Sequence, residues 1–82
     1  MKVWMLSPID KEASGKKGYI RIRAPSEERA RQIAELAFEH GKVNKFIHDV
    51  NWAELNWTSH SEVKCEYEAD DIESVEGILD VE

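Results

Sequence analysis

One cysteine, two prolines and four glycines are all that 82 residues contain of the strongest structural punctuators, and each scarcity excludes something. Cys65 alone cannot close an internal disulfide. It fits a reducing compartment and leaves only an intermolecular bridge as an oxidised form, so a cytoplasmic location is expected. No long apolar run exists either: Val3–Leu6 stops at Ser7-Pro8, too short for a signal-peptide core or a membrane span. Internal repeats and low-complexity segments are absent.

Chemistry is scarce in the same way. His40, His48, His60 and Cys65 are the only soft metal ligands, and their spacings of eight, twelve and five residues match no zinc module. Cys65 with His60 could be written as a nucleophile and its base. Cys65, however, alternates with Val63 and Tyr67 on one strand face, where a thiol is usually inert packing. Carboxylates are abundant, but none is paired within an apolar segment that would separate two pKa values into acid and base roles. A chain of this length buries only about 60–65% of its unfolded surface, which leaves little room for a deep cleft. The expectation is a non-enzymatic protein with no catalytic residue, no metal and no cofactor.

What is present is a clear strand, turn and helix from Gly18 to Gly41. Ile20, Ile22 and Ala24 alternate with Tyr19, Arg21 and Arg23, the pattern of a half-buried strand. Pro25 ends it, and Ser26 is placed to cap a helix that begins at Glu27. Glu27 and Glu28 suit the positive end of the helix dipole, and Glu27 stands four residues before Arg31. Ala30, Ile33, Ala34 and Ala37 form the apolar stripe, flanked by Leu36 and Phe38. Glu28, Arg31, Gln32, Glu35 and Glu39 fall on the arc left to water. Gly41 is positioned to stop the helix.

Around this unit the pattern predicts a strand over Lys2–Ser7 and a polar loop from Asp10 to Lys17 that closes a long hairpin. Phe46, Ile47, Val50, Ala53 and Trp57 have helical spacing, so a short helix is expected near Asn51–Asn56. Val63, Cys65 and Tyr67 oppose Lys64, Glu66 and Glu68 in a further strand. A last strand near Val75–Val81 follows, with Asp70 and Asp71 as the turn of a C-terminal hairpin. The sum is a single α+β domain over residues 1–82 of ββα(α)ββ order, with one mainly antiparallel sheet and the main helix packed on one face.

The net charge of −6 is unevenly spread. Residues 1–45 hold ten basic and six acidic groups, whereas residues 62–82 hold nine carboxylates and one lysine. Two readings compete. An acidic surface of Glu66, Glu68, Asp70, Asp71 and Glu73 can imitate a nucleic-acid backbone or dock on a basic partner, steered by its field. Alternatively, Arg21 and Arg23 lie across the sheet from Glu66 and Glu68 and neutralise them as cross-strand pairs.

Tyr19, Arg21 and Arg23, with Lys16 and Lys17 in the adjoining loop, offer a nucleic-acid-binding alternative, since aromatics stack on bases and arginines hold phosphates. A sequence pI near 5.0 opposes it. Among three tryptophans, Trp57 is placed to complete the core, while Trp52 is equally suited to core and interface.

Tyr19, Ile22, Arg23, Ala24, Ser26, Glu27, Ala30, Arg31, Ile33 and Ala34, followed by Trp57 and Cys65-Glu66, together resemble a pattern recurring in short bacterial and phage-type open reading frames. The resemblance covers about half the chain. It implies a strand-and-helix scaffold and no activity. The resulting expectation is a small acidic protein that acts by binding a protein partner, in particular a basic nucleic-acid-handling protein. As an inhibitor it would be of anti-restriction or anti-CRISPR type and work by nucleic-acid mimicry. Direct nucleic-acid and membrane contacts are not expected.

Overall fold

The computed structural model describes residues 1–9, 18–39, 46–47, 50–51 and 55–81. Strands β1 (Lys2–Pro8) and β2 (Ile20–Ala24) pair antiparallel, followed by helix α1 (Glu27–Glu39) and a minimal hairpin of β3 (Phe46–Ile47) and β4 (Val50–Asn51). Strands β5 (Val63–Asp70) and β6 (Gly77–Val81) complete a four-stranded antiparallel sheet in the order β5-β1-β2-β6. One helix lies on one face of that sheet.

The alternation in β2 has the expected outcome. Ile20, Ile22 and Ala24 are wholly buried, whereas Arg21 and Arg23 on the other face are half-exposed. Register carries the apolar face sideways: Leu6 lies level with Ile20 on one side and with Cys65 on the other. Helix α1 begins as its cap requires, with Ser26 Oγ accepting from the Arg29 amide at 3.2 Å and Ser26 O from the Ala30 amide at 3.0 Å. Ala30 and Ala34 are wholly buried. Their small side chains let the helix axis approach β2 closely.

Trp57 is 1% exposed and stacks on Phe38 with ring centroids 5.0 Å apart, so it does complete the core. Val3, on the face away from α1, is also buried, whereas Met5 and Ser7 on that face are partly exposed.

Three expectations need correction. The short helix expected near Asn51–Asn56 finds no support at the described positions: Asn51 pairs with Phe46 in β4, Leu55 and Asn56 are non-helical, and residues 52–54 lie outside the described residues. Phe46, Ile47 and Val50 are aromatic or β-branched and suit a pleated strand, while the side chain of Asn56 accepts from the amide and hydroxyl of Thr58, at 3.2 and 2.7 Å, which starts a turn. Arg31 is not on the watered arc but 4% exposed.

Lastly, β5 and β6 do not form a hairpin. They occupy opposite edges of the sheet, with β1 and β2 between them. Strand β5, with Lys64, Glu66, Glu68 and Asp70, thus takes an edge, where charge discourages pairing with other chains. The helix stop at Gly41 and the loop at residues 10–17 lie outside the described residues.

Candidate partner-binding surface

Because β5 and β6 are separated by two strands, residues 71–76 must cross the end of the sheet past the start of β1 and the end of β2. This crossing is held at many points. The Asp71 amide donates to Met1 O at 2.7 Å. Asp71 Oδ1 accepts from the Glu73 amide at 2.9 Å, and Asp71 Oδ2 accepts from Arg23 Nε at 3.0 Å. Arg23 Nη1 also reaches Val75 O at 3.1 Å. At the far end, Arg29 in the first turns of α1 grips Glu76, with Nη2 2.6 Å from Oε1 and Nε 3.0 Å from Oε2.

The same contacts set the protonation states. The Glu73 amide, followed by the Arg23 guanidinium, holds the Asp71 carboxyl below its ordinary range. Arg29 does so for Glu76. Both stay ionised at neutral pH.

The predicted acidic residues therefore divide. Asp71 is a structural clamp. Glu68 accepts from Arg21 Nε at 2.8 Å, and Arg21 Nη1 lies 3.5 Å from Asp80 Oδ2. The arginine reaches over Met5, with which it is in register, because β1 separates β2 from β5. Glu66 is paired with Lys64 at 2.6 Å. Asp70 shares a hydrogen bond with the Tyr67 hydroxyl, which raises the tyrosine's pKa. Among the described residues, neither Asp70 nor Glu73 forms an ion pair with a lysine or arginine.

Apolar side chains stand in the same region. Ile72 is 100% exposed, Val75 67% and Tyr67 52%. Tyr67 meets the edge of Trp4 with centroids 5.9 Å apart, and Lys2 Nζ lies 5.9 Å from its ring centroid. Sequence reasoning missed Ile72 and Val75. Their signal was an aliphatic residue inside an otherwise acidic run.

The alternative sites are placed differently. Arg21 and Arg23, proposed phosphate ligands, are already occupied by carboxylates, and Tyr19 beside them is half-buried. Lys16, Lys17 and Trp52 lie outside the described residues. Cys65 is half-buried, and its pKa is pushed up to about 12, first by burial and then by Glu27. The exposed His60 sets Nδ1 3.5 Å from Glu27 Oε2, and no hydrogen bond links it to Cys65 among the described residues.

Two shallow depressions accompany these groups. One, of about 340 Å³, is lined by Glu35, Phe38, Glu39, Leu55 and Trp57, and the other, of about 240 Å³, by Glu28, Arg31, Gln32, Thr58 and His60. No group of three metal-ligating side chains occurs among the described residues. No helix among them is long and apolar enough to cross a membrane.

Compared with known protein families, curated proteins and solved structures, the chain matches none.

Proposed function

We propose that this protein is a non-enzymatic binding module whose working surface is edge strand β5 and the 71–76 crossing, and whose partner is a basic protein. One observation carries the reading: between Glu66 and Glu76 the chain fixes six carboxylates on an edge strand and a clamped segment, and Asp70 and Glu73 meet no lysine or arginine among the described residues. The bulge in β5 puts Glu66 in register with Met5 and Asp70 with Lys2, so the carboxylates of the strand do not share one face. Asp70 at the end of β5 and Glu73 on the clamped crossing are the charges that a nucleic-acid-handling protein can accept in place of phosphates. An inhibitor of anti-restriction or anti-CRISPR type, working by mimicry, is the specific form of the reading. Its support is electrostatic complementarity, which steers association and sets specificity.

The engaged arginines and the protonated thiol weigh against the nucleic-acid and enzyme alternatives. The test begins with capture of a partner by the immobilised protein from a lysate of cells that express it, followed by measurement of association and dissociation rates. The association rate should fall as salt rises and should slow in Glu66→Gln/Asp70→Asn/Glu73→Gln, with the dissociation rate nearly unchanged. A partner whose association is indifferent to both salt and these substitutions would overturn the acidic-surface reading.

A further inference from the structure

Among the large apolar side chains of the described residues, Ile72 alone is wholly exposed, yet it stands on one of the most tightly held segments outside the regular elements. Its predecessor, Asp71, is fixed by the Met1 carbonyl and by Arg23; its successor, Glu73, donates its amide back to Asp71; and the carbonyl of Val75 is held by Arg23. Scattered apolar exposure is ordinary on a protein surface. A backbone clamped so that an isoleucine and a valine project into water is a different case, because the clamp forgoes their burial in the core while fixing their position.

Fixing an anchor in advance reduces the ordering entropy lost on binding, which is what a docking residue needs. The charge pattern states what must receive it. Asp70 and Glu73 flank Ile72 on both sides without a lysine or arginine partner among the described residues, so a recess that accepts the isoleucine must present cations to them.

We propose that Ile72, with Val75 beside it, is the anchor by which the protein docks into an apolar recess rimmed by lysine or arginine on a protein partner. The inference rests on the binding-module reading and adds the residue at its centre. Aliphatic contact supplies the hold, and the flanking carboxylates supply orientation and exclude acidic surfaces.

The test uses a displayed library of random dodecapeptides, panned against the intact protein. Enriched peptides should combine Lys or Arg with Leu, Ile or Phe. As synthetic peptides they should lose at least about tenfold in affinity for Ile72→Ser/Val75→Ser, the loss that marks an anchor residue. That variant should keep the wild-type melting temperature, since it removes two exposed side chains. Selection of no such peptides, or binding to the double variant within about twofold of wild type, would overturn the anchor. Asp70→Asn/Glu73→Gln separates the two readings: if it alone weakens binding, the acidic surface stands and the anchor falls, and if neither variant weakens it, both fall.

Discussion

The guanidinium of Arg31 is 4% exposed and acts as a hub for main-chain carbonyls. Nη1 donates to Trp57 O, Ser59 O and Val63 O at 3.3, 3.2 and 2.8 Å, while Nε meets Glu27 at 3.1 Å. These bonds stitch the turn before β5 onto α1. Arg31→Met keeps the aliphatic stem but removes a charged donor from three main-chain carbonyls, and should lower stability by about 3 kcal/mol in urea unfolding. A loss below about 1 kcal/mol would mean that water takes over the guanidinium's role. A helical wheel places Arg31 with the solvated residues because the wheel knows only the helix; the acceptors that bury it belong to a turn some thirty residues later.

Cys65 was legible from its alternation with Val63 and Tyr67, and its pKa of about 12 adds a measurable consequence. An acid whose folded pKa is raised favours the fold while protonated. Its contribution is complete below the free thiol's 9.0 and is lost as pH rises toward about 12. At neutral pH a disulfide reagent should therefore modify Cys65 slowly in the native protein and fully after denaturation. Rapid stoichiometric labelling of the folded chain would remove the basis for treating the thiol as packing.

At the scale of the element, the alanine stripe of α1 is the part read most directly from sequence. Ala30 and Ala34 have no exposed surface and lie over a sheet face on which Leu6, Ile20, Ile22 and Ala24 are also fully buried. Ala34→Leu adds volume where the axis is already close, and should destabilise by about 1–3 kcal/mol in thermal or urea unfolding. Unchanged stability would mean that the interface holds unfilled space.

The crossing at residues 71–76 shows the opposite case. Asp70-Asp71 between two alternating runs reads as a hairpin turn, because local sequence reports turn chemistry and not which strands become neighbours. Two bulges, between Val3 and Trp4 in the β1–β5 ladder and between Arg21 and Ile22 in the β2–β6 ladder, also shift register in ways that simple alternation cannot reveal. The carboxylates of the crossing titrate in a defined direction. Asp71 and Glu76 are held below their ordinary values of 3.8 and 4.5, so their contribution is present above those values and is lost as pH falls through the lower folded ones. Followed by NMR during acidification, the Glu73 amide, a donor to Asp71 Oδ1, should hold its shift until pH is below 3.8. A transition at or above that value would show that the clamp does not act on the carboxylate.

For the whole molecule, the fold turns a charge polarity along the chain into local pairing. Basic β2 lies between β1, which has no carboxylate, and β6, which has Asp80, and its arginines are shared among Asp80, Asp71 and, across β1, Glu68 of β5. What remains at long range is the net charge of −6, and that field opposes polyanions. Binding to nucleic acid would require Arg21 and Arg23 to leave their carboxylates and approach phosphates against the field. A fluorescence-anisotropy titration with single-stranded and duplex oligonucleotides at about 50 mM salt should therefore show no saturation up to roughly 100 µM protein, the weak end of non-specific binding. Saturation near about 1 µM, weakening with salt and abolished in Arg21→Gln/Arg23→Gln, would reverse this conclusion and make the Tyr19, Arg21 and Arg23 face the working surface. If the acidic surface is instead what a basic partner recognises, the same oligonucleotides should compete with the protein for that partner although they do not bind the protein itself.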